Sequence, residues 1–411
     1  MAKFRILSLD GGGSWALIQV RALIDIFSDK GDGTDVTGYD VLKEFDLVVA
    51  NSGGTITLGG LIKDLKLADI LAFFLSAKQR NTVFVPASFW ADPFAHVMRV
   101  AGIGPKYDAA AKLKGLKALL GPSGEQFVSA VPATIGANYS ARNPDVVFCA
   151  FDYDSNREVF FRSNSQSLAA SMSMHRDITV ALAIHASSNA PLNYFDAPAQ
   201  GPNGTRYWDG ALGGYNNPLL AGVIEALANA AAYDTSRADI RALSIGTANV
   251  ALPLQKHLPN ENPHLVASPQ NSTIVNDLQK LATSILDDPP DAASFHAHMM
   301  LDGGLPVPGS PTPVTDGRVV RLNPLIQPLP GSTTTPWVVP PGLSEGEFTA
   351  LVGLDMDAIE QKQVLLISKL CDLWLKDNVA NQPIRANRDS LAAEIGHARY
   401  SAAKAAWKAL Q

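Results

Sequence analysis

Cysteine is scarce in this chain of 411 residues, which carries only Cys149 and Cys371. Both lie in apolar stretches, where buried free thiols are expected, so no disulfide framework is predicted. The chain also lacks an uncharged apolar run of about 18 residues, the length that a membrane-spanning helix requires. Its first residues lead straight into a strand-like run without the features of a signal peptide. We therefore expect a cytoplasmic protein that meets membranes only peripherally.

Clusters of basic residues are missing as well. The net charge is −6, and no group of lysines and arginines predicts a basic face. Because binding to nucleic acid phosphates requires such a face, nucleic acid is not an expected partner.

Apolar strand-like runs alternate with helical stretches over residues 1–250. This alternation is typical of a layered α/β protein, and strands that are apolar on both faces indicate helices on both sides of the sheet. We predict a three-layer α/β/α sandwich with a mostly parallel central sheet. The predicted strands are Ile6 to Leu9, Asp46 to Val49, Val146 to Phe151, Glu158 to Phe161 and Ala242 to Ile245. The predicted helices are Trp15 to Phe27, Thr55 to Leu65 and Pro218 to Ala232.

Residues 251–411 are predicted to form a C-terminal extension packed on this core. Ten of the 27 prolines fall between Pro306 and Pro341, which predicts a long irregular connection. The same stretch holds large apolar side chains such as Val320, Leu322 and Trp337. We therefore expect a strap packed on the core and not a free tether.

An apolar stripe recurs at helical spacing within Met356 to Leu375, formed by Val364, Ile367, Leu370, Cys371 and Trp374. Packing against the core is the favoured interpretation. A membrane-facing helix is the alternative, but such a helix needs a basic polar face, and this segment offers only a few lysines.

Ser52 stands where an apolar run ends and a helical pattern begins. The string Ala50-Asn51-Ser52-Gly53-Gly54 has the small residues that a sharp strand-to-helix turn requires, because larger side chains would collide there. Such a turn presents its serine hydroxyl as a nucleophile. The full pattern is G-x-S-x-G, and Ala50 replaces the first glycine. For this string alone, a tight loop whose serine only caps the helix has equal weight.

Three glycines, Gly11, Gly12 and Gly13, directly follow the first predicted strand and Asp10. Their N–H groups and the N-terminus of the next helix can stabilise the oxyanion that forms when a serine attacks an ester. The rival interpretation is a dinucleotide site, since the loop overlaps G-x-G-x-x-[GA]. That motif needs an acidic residue at the end of the next strand, and the acidic residues at about that distance lie in a glycine-rich loop instead.

The base for Ser52 must come from elsewhere in the chain. None of the eight histidines stands in a turn context aimed at Ser52. His296 and His298, two residues apart, would lie on different faces of a helix, so no metal site is predicted.

Asp209 is the better candidate, because it follows a strand-like run and precedes the small residues Gly210 and Ala211. An ordinary aspartate is about 2.6 pKa units less basic than histidine, which corresponds to roughly 3.5 kcal/mol. Burial must therefore raise the pKa of Asp209, or the proton transfer must be concerted with attack. An Asx turn is the alternative, again with about equal weight for this string alone.

Together these strings resemble the patatin-like phospholipases. Five of them occur in that family's order over about residues 4–250: Asp10-Gly-Gly-Gly13, the Ser52 turn, Ala186-Ser-Ser-Asn-Ala-Pro191, Asp209-Gly-Ala211 and Leu243-Ser-Ile-Gly-Thr247. The resemblance implies a patatin-type α/β fold and lipid acyl hydrolase activity. It also implies a Ser-Asp dyad at Ser52 and Asp209, and an oxyanion hole at Gly11, Gly12 and Gly13. The implied partner is a lipid ester at a peripheral membrane or micelle surface, with no metal and no organic cofactor.

Three positions depart from the family's pattern. Trp15 stands where the glycine loop of relatives usually has arginine or lysine, His185 stands where they often have arginine, and Ala50 replaces the first glycine of the elbow. The missing cation weakens any charge-based binding of an anionic lipid. A non-catalytic lipid- or partner-binding module on the same fold, and an acyltransferase that uses the same acyl-enzyme, are therefore kept as alternatives.

Overall fold

The structure is a computed structural model that describes residues 3–30, 33–86, 105–138, 143–164, 178–191, 194–202, 204–258, 260–269, 271–273, 290–387 and 391–411. Its strands are β1 (Phe4–Leu9), β2 (Leu47–Ala50), β3 (Asp145–Asp152), β4 (Arg157–Arg162), β5 (Ala199–Gln200), β6 (Arg206–Asp209), β7 (Ile240–Ile245), β8 (Asn249–Val250), β9 (Val319–Leu322), β10 (Pro324–Ile326), β11 (Leu329–Pro330), β12 (Trp337–Val338) and β13 (Ala380–Asn381).

The α-helices are α1 (Leu17–Ile26), α2 (Gly38–Leu42), α3 (Gly53–Ile62), α4 (Leu67–Leu75), α5 (Ala77–Arg80), α6 (Ala109–Leu120), α7 (Pro122–Glu125), α8 (Val131–Asn138), α9 (Val180–Ser187), α10 (Leu219–Ala228), α11 (Glu345–Val352), α12 (Gln361–Leu375) and α13 (Tyr400–Leu410). Residues 290–300 are also helical. The predicted strands and helices of residues 1–250 are therefore confirmed as elements, with ends that differ by a few residues.

The main sheet has the order β5-β6-β3-β2-β1-β7-β9, with β4 also paired to β3. The run from β3 to β9 is parallel, whereas β4, β5 and β6 are antiparallel to their neighbours. The mostly parallel sheet is thus confirmed. Because the strand order places β1 between β2 and β7, the loops after these three strands leave the same edge of the sheet. In open α/β sheets this edge is where ligands bind.

Both faces of the sheet are covered by helices. Alternate residues such as Leu7 and Val48 face a large apolar cluster that includes residues of α1, α3, α4, α9, α12 and α13. Their neighbours in the chain, such as Ile6 and Val49, face a second cluster that includes residues of α10. Successive side chains of a strand point to opposite faces, so the pleat divides the core in two. The three-layer α/β/α sandwich is confirmed.

The C-terminal helices pack on the core. Val364, Ile367, Leu370, Cys371 and Trp374 are all buried, so the core interpretation of the stripe is confirmed. The helix that carries them begins at Gln361, after a capping box at Glu360, and not at Met356. Residues 356–360 therefore form a loop. Cys149 and Cys371 are buried and free.

The proline-rich strap is not irregular throughout, contrary to the prediction. Val319–Leu322 forms β9, which pairs in parallel with β7 at the edge of the main sheet. Pairing with β7 satisfies the backbone of this short run, although a four-residue strand between prolines has little local signal. The division of the chain at residue 250 remains a prediction. No helix within the described ranges has the length and apolarity needed to cross a membrane.

Candidate functional site

Ser52 occupies the turn between β2 and α3 in a strained backbone conformation, with φ 48° and ψ −120°. Its neighbours have no room for side chains. A Cβ on Gly53 would lie 2.5 Å from the carbonyl oxygen of Gly13, and one on Gly54 would lie 2.4 Å from that of Leu9. The Ser52 side chain makes no capping hydrogen bond to α3. This geometry favours the nucleophile elbow over the capping alternative.

Asp209 ends β6 and is buried, with 3% of its surface exposed. The Ser52 side chain lies beside this carboxylate and acts on it as a donor that lowers the pKa of Asp209, so the two predicted residues are neighbours. Oδ1 also accepts hydrogen bonds of 2.9 Å from Asn51 Nδ2 and from the N–H of Ala211. The Asx-type bond to Ala211 therefore coexists with the contact to Ser52, and it fixes the orientation of the carboxylate.

Burial raises the pKa of Asp209 above the ordinary aspartate value. The hydrogen bonds from Ser52, Ala211 and Asn51, and the charge of Lys112, act in the opposite direction but do not cancel the effect of burial. A more basic carboxylate is a better acceptor for the proton of a serine hydroxyl.

The glycine loop lies directly against the Ser52 turn. Gly12 has φ 148° and Gly13 has φ 55°, conformations that glycine adopts at no steric cost. The N–H of Gly11 donates to the carbonyl oxygen of Asn216 at 2.7 Å, so it is not free to bind an oxyanion. Within the described residues, the N–H groups of Gly12, Gly13 and Gly53 have no hydrogen-bond partner. These three groups are the available donors.

The segment Ser187–Asn189 holds the serine and the aspartate together. Ser187 Oγ accepts a 3.1 Å hydrogen bond from the Ser52 N–H, and the carbonyl oxygen of Asn189 accepts a 3.0 Å bond from the Asp209 N–H. Sequence reasoning reached this segment only through the family resemblance. Its signal was the string of small and polar residues at the end of α9.

No histidine of the described chain hydrogen-bonds to Ser52 or Asp209, whereas His96 and His175 lie outside the described residues. Burial, together with the nearby charge of Lys112, holds the pKa of His185 well below the usual range. The described residues contain no group of three potential ligands that could hold a metal ion.

Arg321, on β9, contacts Asp10 at the start of the glycine loop, a role that sequence reasoning missed. Its Nη2 lies 2.6 Å from Asp10 Oδ2, and its Nη1 donates to Ser244 Oγ at 2.7 Å. Burial of Asp10 outweighs the favourable charge of Arg321 and raises the pKa of Asp10 to about 6. The pair joins β9 to the start of the loop, so it connects residues more than 300 positions apart.

Arg321→Met is expected to lower the free energy of unfolding by roughly 3–5 kcal/mol, because it leaves the buried Asp10 without its partner. Denaturant unfolding of the full chain measures this change. Arg318→Met is the matched control, since Arg318 precedes the same strand, is only partly buried, and makes a 3.8 Å ion pair with Asp302 and a hydrogen bond to the carbonyl oxygen of Arg237. Its expected cost is below about 1 kcal/mol. Equal losses in the two variants would contradict a supporting role for the Asp10 pair.

A loop from the C-terminal part of the chain covers the site. The carbonyl oxygen of Met356 accepts 3.1 Å and 3.2 Å bonds from the N–H and Oγ of Ser14, and Trp15 Nε1 donates to the carbonyl oxygen of Asp355 at 3.1 Å. The buried Asp357 accepts a 2.7 Å bond from the hydroxyl of Tyr107. Trp15 therefore anchors this covering loop.

Two cavities flank the covering loop, and Met356 lines both. The cavity above Ser52 has a volume of about 30 Å³ and walls that include Ile56, Phe84 and Phe195. A larger cavity of about 570 Å³ lies on the other side, lined by polar and apolar residues that include Gly12. Within the described residues, the cavity above the serine thus has space for little more than a water molecule.

The fold and this geometry define a layered α/β protein with a serine on a strand-to-helix elbow, next to a buried aspartate. The sequence profile described as patatin-like phospholipase matches residues 7–223. This match spans more than half of the chain, and the protein belongs to the patatin-like phospholipase family, whose members are generally lipid acyl hydrolases.

Two solved structures are similar to the chain at low identity. VipD from Legionella pneumophila is 11% identical over 90% of this chain and 67% of its own, with a TM-score of 0.35. The full-length complex of SpcU with ExoU from the type III secretion system of Pseudomonas aeruginosa contains a chain that is 15% identical over 46% of this chain and 38% of its own, with a TM-score of 0.23. No curated protein matches the chain.

Proposed function

We propose that this protein hydrolyses fatty-acyl esters of lipids through an acyl-enzyme at Ser52. The observation that carries the proposal is that Ser52, on its strained elbow, lies beside the buried carboxylate of Asp209. Strain of this kind is retained where the surrounding structure enforces it, and it is concentrated at functional sites. Family membership supports lipid esters as the substrate class.

In the proposed reaction, Ser52 Oγ attacks the ester carbonyl carbon while Asp209 takes its proton. The oxyanion that forms accepts hydrogen bonds from the N–H groups of Gly12, Gly13 and Gly53. Loss of one such donor typically raises the barrier by about 3–4 kcal/mol. The tetrahedral intermediate then collapses, and the leaving alkoxide takes the proton from Asp209. Water then attacks the carbonyl carbon of the acyl-enzyme while Asp209 takes a proton from it. The fatty acid leaves, and the proton passes from Asp209 to Ser52 Oγ.

We further propose that the lipid reaches the site from a membrane or micelle surface, with the protein on the aqueous side. The apolar walls around Ser52 suit an acyl chain, and no membrane-spanning helix is found in the described part of the chain. The cytoplasmic location remains a prediction.

Labelling with a fluorophosphonate probe tests the proposal, because the probe reacts with activated serines. Mass spectrometry is expected to locate the adduct on Ser52, and a panel of phospholipids, lysophospholipids, galactolipids and glycerides is expected to contain a substrate. Lipid binding without labelling or turnover would favour the non-catalytic module instead. Transfer of the acyl group to an added alcohol in preference to water would favour an acyltransferase.

Met356→Ala is expected to increase activity on long-chain esters relative to short-chain esters. Ligand pockets usually enclose about 300–1,000 Å³, far more than the space above Ser52, and Met356 is one of the residues that line this space, so we expect its side chain to limit the acyl chain. The ratio of kcat/KM for long and short p-nitrophenyl esters should rise roughly fivefold or more. Met299→Ala, in an exposed position on the helix at 290–300, is the control and should leave the ratio unchanged. An unchanged ratio in Met356→Ala would mean that another residue limits chain length.

A further inference from the structure

Lys112 on α6 is a buried cation in the wall of the cavity above Ser52. Its exposed fraction is 1%. Lysine is almost never fully buried unless it is paired, yet Lys112 forms no ion pair among the described residues. Its Nζ donates to the carbonyl oxygen of Ser188 and lies 4.0 Å from the centroid of the Phe195 ring. An unpaired, buried lysine in the wall of the cavity that also contains Ser52 is a candidate for a functional role in that site.

The segment Ser187–Asn189 links this lysine to both members of the proposed dyad. Ser187 Oγ accepts a hydrogen bond from the N–H of Ser52. The next carbonyl oxygen, of Ser188, accepts a hydrogen bond from Lys112 Nζ. The carbonyl oxygen of Asn189 accepts one from the N–H of Asp209. Three consecutive residues thus fix the serine, the ammonium group and the aspartate relative to one another.

The charged and titratable groups that face Lys112 come from several elements. Asp209 on β6 and His185 on α9 interact with it electrostatically, and Tyr194 and Asp357 line the same cavity. His185 is held neutral because its pKa lies well below the usual range. Burial lowers the pKa of Lys112 well below its ordinary value of 10.5, and the nearby Asp209 acts in the opposite direction. That charge lowers the pKa of Asp209 and so opposes the effect of burial.

We propose that Lys112 is a positioning residue of the dyad, whose ammonium group keeps the Asp209 carboxylate ionised and able to accept the Ser52 proton at mildly acidic pH. This inference rests on the proposed function.

The rate of fluorophosphonate labelling at Ser52 in the full chain, followed between about pH 4 and pH 9, tests the inference without a known substrate. In Lys112→Met the acidic midpoint should move upward by about one pH unit, while the plateau at higher pH is retained. At a pH below the wild-type midpoint, labelling should therefore be about tenfold slower than in the wild type. Lys112→Arg, which keeps the charge, should restore the wild-type midpoint.

Lys114→Met is the matched control, since Lys114 is exposed on the same helix, and its midpoint should equal that of the wild type. A purely structural lysine would change the melting temperature in Lys112→Met but leave the midpoint in place, which would overturn the inference. If Lys112→Met fails to fold, Lys112→Gln provides a second neutral variant. An upward shift of its acidic midpoint would support the inference, and an unshifted midpoint would overturn it. An unlabelled wild-type Ser52 would count against the proposed function itself, whereas a labelled wild type with an unshifted neutral variant would count against Lys112 alone.

Discussion

Ser52→Ala is expected to lose fluorophosphonate labelling completely and to reduce ester turnover by about 10⁴-fold or more, as removal of a serine nucleophile typically does. The methyl group leaves the elbow, Asn51 and the Asp209 carboxylate in place. Loss of turnover would therefore report the missing hydroxyl and not a collapsed site. Ser332→Ala, in an exposed loop, is the matched control and should keep full activity. Full turnover in Ser52→Ala would assign the nucleophile to another residue.

A second substitution at the same position separates chemistry from stability. Ser52→Gly also removes the hydroxyl, but glycine adopts positive φ without strain, so the free energy of unfolding should rise by about 1 kcal/mol while activity is lost. Asn156→Gly, in the turn after β3 at φ 54°, offers a control at another non-glycine residue with positive φ and should keep full activity. A lower melting temperature in Ser52→Gly would show that the serine conformation is not a source of strain.

Local sequence signals were sufficient for the framework of the fold. The buried parallel strands β1, β2 and β7 are apolar on both faces, and the small residues around Ser52 have no role in a helix or strand interior, so both features can be recognised from a few adjacent residues. The pairing of Ser52 with Asp209 came from the order of the motifs and the family resemblance, because no local signal encodes contact between β2 and β6.

The contacts that sequence reasoning missed are long-range. Arg321 reaches Asp10 from a short strand between prolines, and Asp357 reaches Tyr107 across 250 positions of the chain. Neither residue stands out in its own neighbourhood. Lys112 did have a signal: it lies three residues after Ala109 and four before Leu116, on the buried face of α6. The nearby Lys114 and Lys117, which are exposed, conceal that spacing within an ordinary charged helix.

Asp209→Asn is expected to lower turnover by about 10³-fold or more, because the amide cannot take the proton from Ser52. Its Oδ1 can still accept hydrogen bonds from Asn51 and Ala211, so the elbow should keep its geometry. Steady-state kinetics on the same ester as for the Ser52 variants measures the effect. Asp154→Asn, which removes a surface carboxylate paired with Arg206, is the control and should leave turnover unchanged. Wild-type turnover in Asp209→Asn would require a different base.

The same variant is expected to be more stable than the wild type at neutral pH. Because burial raises the pKa of Asp209 in the folded state, its protonated form is favoured by folding, and the wild type loses stability as the pH rises through that folded-state pKa. An asparagine does not titrate, so the difference in melting temperature should vanish below about pH 4 and grow toward pH 7. In Asp154→Asn the sign reverses, because the Arg206 hydrogen bond holds the pKa of Asp154 below its usual range and that carboxylate stabilises the fold at neutral pH. A melting-temperature difference independent of pH would show that the carboxylate of Asp209 is not destabilised by burial, and would remove the reason for its raised basicity.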